Sequence, residues 1–172
     1  MTDRIKIVIE DEAWTQIDGY NDWISRLDGL LQESINKECK NDQRCWVGLL
    51  LTDNRHMQIL NRNFREVNTP TNVLSFPEYD TTRLKNQFSL HHGSDIFLGD
   101  IAMSREQIVN ESAKYGIKFF DRCSHLFVHG VLHLLGLDHV EEEARAEMER
   151  TEIKILNKFG VNNPYILKEE EK

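Results

Sequence analysis

The stretch from His129 to His139 reads HGVLHLLGLDH, and the rest of the chain is interpreted outward from it. Its three histidines stand at positions i, i+4 and i+10. On a helix, His129 and His133 lie on one face with about 5–6 Å between their Cβ atoms. Gly136 tolerates the left-handed conformation that ends many helices, so the chain can turn there and bring His139 back. Three imidazoles with an open fourth position are typical of a catalytic zinc site. The alternative is a buried helix on which two histidines fall at helical spacing by chance.

The same spacing occurs in metzincin peptidases, which carry a glutamate directly after the first histidine. That glutamate is the general base for the metal-bound water. Gly130 stands at this position here, and glycine cannot take a proton. The sequence therefore keeps the predicted metal frame but lacks the base of a peptidase.

Composition favours one soluble α/β domain over residues 1–172, with a charged tail at 168–172 that we expect to fray. Hydrophobic residues make up 40% of the chain and charged residues 29%, which are ordinary values for a globular protein. No apolar run is long enough to span a membrane, and residues 1–10 lack the apolar core of a signal peptide. The formal net charge of −8 opposes non-specific binding to nucleic acid, so any such contact needs a local basic patch.

The three cysteines, Cys39, Cys45 and Cys123, are scattered and form no C-x-x-C pair. This pattern predicts reduced thiols and a cytoplasmic protein.

Strand and helix patterns alternate along the chain, which predicts an α/β domain of two or three layers with a small mixed sheet. We expect the metal-bearing helix to start near Lys118 and to pack across the sheet. Thr52 or Asp53 can cap the second helix, and Ser104 to Gln107 reads as a capping box. The predicted strands cover residues 4–10, 45–51 (buried on both faces), 72–76 and 95–103. The first predicted helix covers 20–35, a long loop covers 78–94, and a last helix follows Asp138.

Several polar residues have two interpretations each. His125 lies one turn before His129 and is either a fourth ligand or a supporting or core histidine. Asp138 either caps the last helix or handles protons at the site. Asp100 is either a buried polar anchor or a partner of a ligand. His91 and His92 are either metal ligands or a solvated pair in the long loop.

Four sequence strings carry a resemblance to a known family. They are LNRNFR at 60–65, TNVLSFP at 71–77, LGDI at 98–101 and the histidine motif at 129–139. The chain from about residue 45 to 158 resembles the bacterial YbeY family of metal-dependent endoribonucleases. It departs from the family between Pro77 and Leu98, where the connection is longer than usual.

The resemblance implies one zinc ion per chain, bound by His129, His133 and His139 on a zincin-like sheet and helix. It implies catalytic roles for His129 and for Arg65, placed in a cleft beside the metal. Taken without the resemblance, Arg65 is better explained as a cation at a helix C-terminus. The implied function is cleavage of single-stranded RNA in the cytoplasm, in 3′ end maturation of small-subunit rRNA and ribosome quality control. The implied partners are the small subunit and its assembly proteins, with neither DNA nor a membrane.

Two other functions and the proton acceptor stay open at this point. One rival is a peptidase, which Gly130 disfavours, and the other is a non-catalytic assembly factor that zinc only stabilises. The proton acceptor is a metal-bound hydroxide, a 2′-OH pathway of the substrate or Asp138. Because the chain is acidic, we expect RNA contacts to be confined to Arg62 and Arg65, with Arg83 and Lys85 in the long loop.

Overall fold

The computed structural model describes residues 4–40, 42–90 and 93–166, and within them the chain forms one four-stranded sheet. The strand order is β1-β2-β4-β3, with β1, β2 and β4 parallel and β3 antiparallel to β4. The bounds are β1 Ile5–Ile9, β2 Arg44–Thr52, β3 Val73–Pro77 and β4 Asp95–Ser104. The predicted mixed sheet of an α/β fold is confirmed, and its edges are β1 and β3.

Six α-helices and one short 3-10 helix, Glu12–Gln16, surround this sheet. They are α1 Tyr20–Ile35, α2 Asn54–Arg65, α3 Thr81–Leu90, α4 Arg105–Tyr115, α5 Phe119–Leu134 and α6 Glu142–Lys158. The parallel strands need crossover connections, and α1 and α2 lie within those connections. The histidine-bearing helix starts directly after Lys118, as predicted. Within the described residues, no helix has the length and apolar character needed to cross a membrane.

Helices cover the two faces of the sheet unequally. Side chains of successive strand residues point to opposite faces. Ile101 of β4 packs into the main core, next to Gly130 of α5, whereas Ala102 packs with Met57 of α2. We call these the α5 face and the α2 face. The α5 face also receives α1, which packs against α5, and it holds most of the hydrophobic core.

The α2 face is only partly covered, which corrects the prediction that β2 is buried on both sides. Trp46 and Leu50 of β2 are half-buried, and the Trp46 ring lies 4.2 Å from that of Phe97, centroid to centroid. These side chains line an apolar groove on the α2 face, and Phe64 of α2, at its rim, is 65% exposed. An apolar run of residues therefore did not mean burial on both faces.

The long loop predicted over residues 78–94 is wrong, because a helix, α3, occupies its centre. Asp80 accepts a hydrogen bond from the Arg83 backbone N–H at 2.9 Å, as a helix cap does. Leu84 and Phe88, one turn apart, are buried in the main core. This two-residue apolar stripe was hidden among polar residues. His91 and His92 lie outside the described residues.

Two of the capping predictions change as well. Asp53 caps α2 by accepting from the His56 N–H at 2.9 Å, as predicted. Ser104 precedes α4, but its buried hydroxyl donates to Asn54 Oδ1 at 2.7 Å, so the capping box does not form. Asp138 does not cap α6, because it accepts from the neighbouring His139 N–H at 2.6 Å and α6 begins after Glu141.

The prediction of reduced thiols is wrong for two of the three cysteines. Cys39 and Cys45 form a disulfide, because the short connection between α1 and β2 brings their Cα atoms 6.7 Å apart. Cys123 is free and buried in α5. Sequence spacing alone did not reveal that this connection folds back on itself.

Candidate metal centre

The three histidines of the motif converge at the C-terminal end of α5. The His129 and His133 rings are one helical turn apart, with centroids 4.5 Å from each other. Gly136, at φ +89°, lets the chain turn, and the Leu137 N–H donates to the Leu132 carbonyl at 3.0 Å. The turn brings the His139 ring to 5.7 Å from His129 and 5.0 Å from His133. One ligand nitrogen from each histidine lies within 4.8 Å of the other two, which is close enough to hold one metal ion.

Gly136 is required by packing as well as by its backbone conformation. A Cβ atom there would lie 2.8 Å from Oγ1 of Thr81, in the first turn of α3. The unexpected helix α3 therefore supports the turn that delivers His139.

Glu152 of α6 holds the first histidine in one tautomer, and sequence reasoning missed it. Its side chain is fully buried, and His129 Nδ1 donates to its Oε1 at 2.6 Å. With the proton on Nδ1, the Nε2 atom of His129 carries a lone pair, and it faces Nε2 of His133 at 3.0 Å. A carboxylate behind a histidine is the usual partner of a metal-binding imidazole. The available signal was an acidic residue at helical spacing between the buried Met148 and Ile155.

The surroundings of the site lower the pKa of His133 and the pKa of Glu152. Burial, together with the neighbouring His129 and His139, lowers the pKa of His133 to about 4. Burial raises the pKa of Glu152, but hydrogen bonds from His125 and His129 outweigh it and bring that pKa to about 2. At neutral pH the site thus offers the uncharged imidazole of His133 close to the ionised carboxylate of Glu152. Uncharged imidazole nitrogen is a preferred ligand of zinc and of other late first-row metals.

His125 supports Glu152 and does not join the three converging histidines. Arg122 Nη1 donates to His125 Nδ1 at 2.8 Å, so the remaining ring proton lies on Nε2, which donates to Glu152 at 3.0 Å. Burial lowers the pKa of His125, which keeps it neutral. The Tyr165 hydroxyl also donates to Glu152. Of the two interpretations of His125, these contacts favour the supporting one.

Arg65 is the last residue of α2, on the other face of the sheet from α5. Its side chain is exposed, and no described residue forms a hydrogen bond or ion pair with it. The structure therefore shows no direct contact between Arg65 and the three histidines. The segment 66–72 leads from Arg65 round the edge strand β3 to Asn72, which shares a cavity with His129. Asn61 holds this segment by donating to the Thr69 carbonyl at 2.8 Å.

Asp138 and Asp100 differ in their relation to the metal site. Asp138 is exposed next to His139. Asp100 points to the α2 face, where a Cβ on Gly48 would lie 2.0 Å from its Oδ1. Burial and the nearby Glu78 raise the pKa of Asp100. Asp100 is thus placed away from the ligands, and its supporting role is not favoured.

Gly130 packs against the sheet and not towards the converging nitrogens. A Cβ atom there would lie 3.1 Å from Ile101 and 3.2 Å from Ser75 Oγ, and the Ser75 hydroxyl donates to the Gly130 carbonyl at 3.2 Å. The two family strings that contain Ser75 and Gly130 are therefore joined in space. The absence of a glutamate at this position reflects packing as well as chemistry.

Comparison with known proteins agrees with this geometry. The family model described as Endoribonuclease YbeY matches residues 9–160. A protein of Rhodospirillum rubrum named Endoribonuclease YbeY is 46% identical over 119 residues, which cover 69% of this chain and 58% of that protein. A protein of the same name from Erythrobacter litoralis is 39% identical over 163 residues, covering 94% of this chain and 98% of the relative.

The fold is also found in a solved structure. The solution structure of TM1509 from Thermotoga maritima matches 91% of each chain with a TM-score of 0.57 at 20% identity, which supports the fold alone. The family match spans β2, α2, β3, β4 and the complete histidine motif. The chain therefore belongs to the Endoribonuclease YbeY family.

Proposed function

We propose that this protein is a zinc-dependent endoribonuclease that cleaves single-stranded RNA. We further propose that it acts in the cytoplasm on the 3′ end of small-subunit rRNA and in ribosome quality control, with the small subunit and its assembly proteins as partners. The observation that carries the proposal is the convergence of three imidazoles, with His129 oriented by a buried carboxylate. The family name endoribonuclease supplies the reaction class.

The donor set fits zinc, and His129, His133 and His139 would hold it. When bound, zinc supplies Lewis-acid chemistry: it polarises a phosphoryl oxygen and lowers the pKa of water. Glu152 keeps the proton of His129 on Nδ1, so that Nε2 would be available to hold the ion. His129 also lines the adjoining cavity, so it lies where substrate enters.

Arg65 is proposed to neutralise charge that develops on the phosphoryl group. Its planar guanidinium suits two-point contact with phosphate, and an exposed arginine without partners among the described residues is free to make it. Because Arg65 lies on the α2 face, the RNA has to cross the β3 edge between Arg65 and the histidines. The proton acceptor stays open among solvent, the substrate 2′-OH and Asp138.

The distribution of charge predicts weak RNA binding that depends little on salt. The net charge is −8, and the basic residues near the route are Arg62 and Arg65 of α2, with Arg83 and Lys85 of α3. Arg83 already pairs with Asp80 at 3.6 Å. We expect roughly two to four phosphate contacts, each adding a slope of about −0.7 to the logarithmic salt dependence. Such affinity favours targeting by a ribosomal partner.

The decisive experiment combines metal removal, melting and cleavage. Protein stripped with a chelator and then reloaded with zinc is assayed on one RNA in single-stranded form, in duplex form and as DNA. We expect cleavage of single-stranded RNA alone, lost without zinc and restored with it, while the metal-free protein keeps a cooperative melt. Metal-free protein that unfolds, with no cleavage after reloading, would support the stabilised assembly factor instead.

A further inference from the structure

A cavity of about 280 Å³ opens directly beside the metal centre and has no role in the chemistry described so far. It runs along α5 from His129 to Arg122, with Asn72 of the β3 entry on one side and Tyr115 at its rim. Seven residues of helix separate His129 from Arg122, which is about 10 Å at 1.5 Å per residue. A strand of RNA whose reacting phosphate lies at the histidines therefore passes this cavity with a neighbouring nucleotide.

The polar side of the cavity is a fixed hydrogen-bond donor. The Arg122 side chain is 17% exposed, and its Nε donates to Glu111 at 2.8 Å while its Nη1 donates to His125. Asn72 Nδ2 donates to the other oxygen of Glu111 at 2.9 Å, which locks the group in place. Among the described residues, none accepts a hydrogen bond from Arg122 Nη2. A half-buried guanidinium held in this way can donate to a ligand without moving.

The charge of the cavity argues against a phosphate as its ligand. Glu111 neutralises Arg122 at close range, and Glu152 adds a further negative charge behind His125. The remaining walls include the apolar side chains of Val73, Ile117 and Leu126. A flat, uncharged group with hydrogen-bond acceptors suits apolar walls with one fixed donor.

The rim of the cavity adds a stacking surface. Tyr115 ends α4 and is 37% exposed, with Lys114 Nζ 5.0 Å from its ring centroid. Exposed aromatic rings beside a cation are the usual platform for bases of single-stranded nucleic acid. Lys114 lies over one face of the Tyr115 ring, so a base would stack on the opposite face.

We propose that this cavity is a nucleobase subsite, which binds the base of a nucleotide next to the cleaved phosphodiester bond. The proposal rests on the endoribonuclease function proposed above. Arg122 can only donate, so it binds an acceptor atom on the edge of the base, either a carbonyl oxygen or a ring nitrogen. The cleavage site is then chosen partly by sequence.

The test uses one RNA oligonucleotide with a single cleavage site, in which each position in turn is made abasic. We expect one abasic position beside the cleaved bond to lower kcat/KM about tenfold, within the range of one base stacking on an aromatic side chain. The four bases present different acceptor atoms to Arg122, so exchanging the base at that position should change kcat/KM as well. Tyr115→Leu and Arg122→Met should flatten this profile to within about twofold, while Arg150→Met, an exposed change on α6, keeps it.

Two further measurements separate the possible failures. Tyr115→Leu leaves the Arg122–Glu111 pair intact, so its melting temperature and zinc content should match the unmodified protein even where Arg122→Met folds poorly. Binding of the same oligonucleotides in EDTA, followed by fluorescence anisotropy, reports the base preference without cleavage.

Cleavage with a flat profile overturns the subsite and leaves the endoribonuclease function standing. Base-dependent binding without cleavage overturns the endoribonuclease function and leaves the subsite standing. The two failures are therefore distinguishable. A loss that follows a methylphosphonate linkage, and not the base, identifies an anion site and refutes the proposal.

Discussion

The two faces of the sheet treat their polar groups in opposite ways. On the α5 face, the Glu152 carboxylate receives hydrogen bonds from His125, His129 and Tyr165, so each ring is fixed before any ligand arrives. On the α2 face, Arg65 projects from a helix end and Phe64 is largely exposed. The difference indicates a division of labour. The α5 face holds its polar groups in place through hydrogen bonds, whereas on the α2 face Arg65 is held by no described residue.

The largest effect should come from removing ligands on the α5 face. We expect the unmodified protein to hold about one zinc per chain and the double variant His129→Ala/His133→Ala to hold almost none. Two of the three converging nitrogens are lost, and a single imidazole cannot retain the ion. Elemental analysis of dialysed protein measures this, with His56→Ala on α2 as the matched control. Full occupancy in the double variant would falsify the metal site.

Gly130→Glu should destabilise the fold without creating a peptidase. The new side chain would enter the space that Ile101 and Ser75 now fill, and overpacking of a core costs about 1–3 kcal/mol before the cost of burying a carboxylate. Gly130→Ala should change stability by less than about 1 kcal/mol, because its slightly short Cβ contacts oppose the gain of alanine over glycine inside a helix. Urea unfolding of both variants measures the difference, and a casein assay tests peptidase activity.

Casein hydrolysis by the purified protein that disappears in the His129→Ala variant would show that the protein is a peptidase.

Glu152→Gln should weaken zinc binding about 10- to 100-fold, as loss of a carboxylate behind a ligating histidine usually does. The amide keeps the size of the side chain but removes the charge that the His129 Nδ1–H and His125 Nε2–H both contact. Competition with a chelator dye gives the affinity, and Glu147→Gln, exposed on the same helix, is the control. An unchanged zinc affinity would show that Glu152 only fills space.

Arg65→Lys tests the catalytic role proposed for the exposed arginine on the α2 face. The change keeps the charge and loses the planar fork, so single-turnover cleavage should fall at least about tenfold, or roughly 1.4 kcal/mol. Zinc content and melting temperature should stay unchanged, since no described residue pairs with Arg65. Arg55→Lys, an exposed change in the first turn of the same helix, is the control. Normal cleavage by Arg65→Lys would restore its interpretation as a cation at a helix C-terminus.

Phe64→Ala should have the smallest effect. Phe64 meets Phe76 edge to face at 4.8 Å, and such a pair adds about 0.5–1.5 kcal/mol. Because Phe64 lies on the α2 face, we expect a slight fall in melting temperature and no change in zinc content. A loss of zinc would mean that the two faces are coupled, contrary to the comparison.

The parts of the site that could be predicted from sequence are those coded locally. The three histidines lie within one short stretch, so helical spacing and one glycine were enough to bring them together. Glu152 could not be paired with His129 in this way, because their contact depends on how α6 packs against α5. The Cys39–Cys45 disulfide depends likewise on the path of a short connection.

The same limit explains the error over residues 78–94. The core contacts of α3 come from Leu84 and Phe88, which are too few to give a clear helical period, and their burial depends on the rest of the core. For Arg65, the sequence predicted the helix end on which it lies. Its relation to the metal depends on how substrate crosses the sheet edge, so its catalytic role stays a prediction.

The separation of Glu152 from the ligands has a consequence for biosynthesis. All three histidines have been added to the growing polypeptide once residue 139 is in place, whereas Glu152 follows in a later helix. Chains are made at about 5–20 residues per second, so the ligands are synthesised before the group that orients them. Docking of α6 on α5 fixes the tautomer of His129, so the oriented set of ligands is complete only when this later helix has folded.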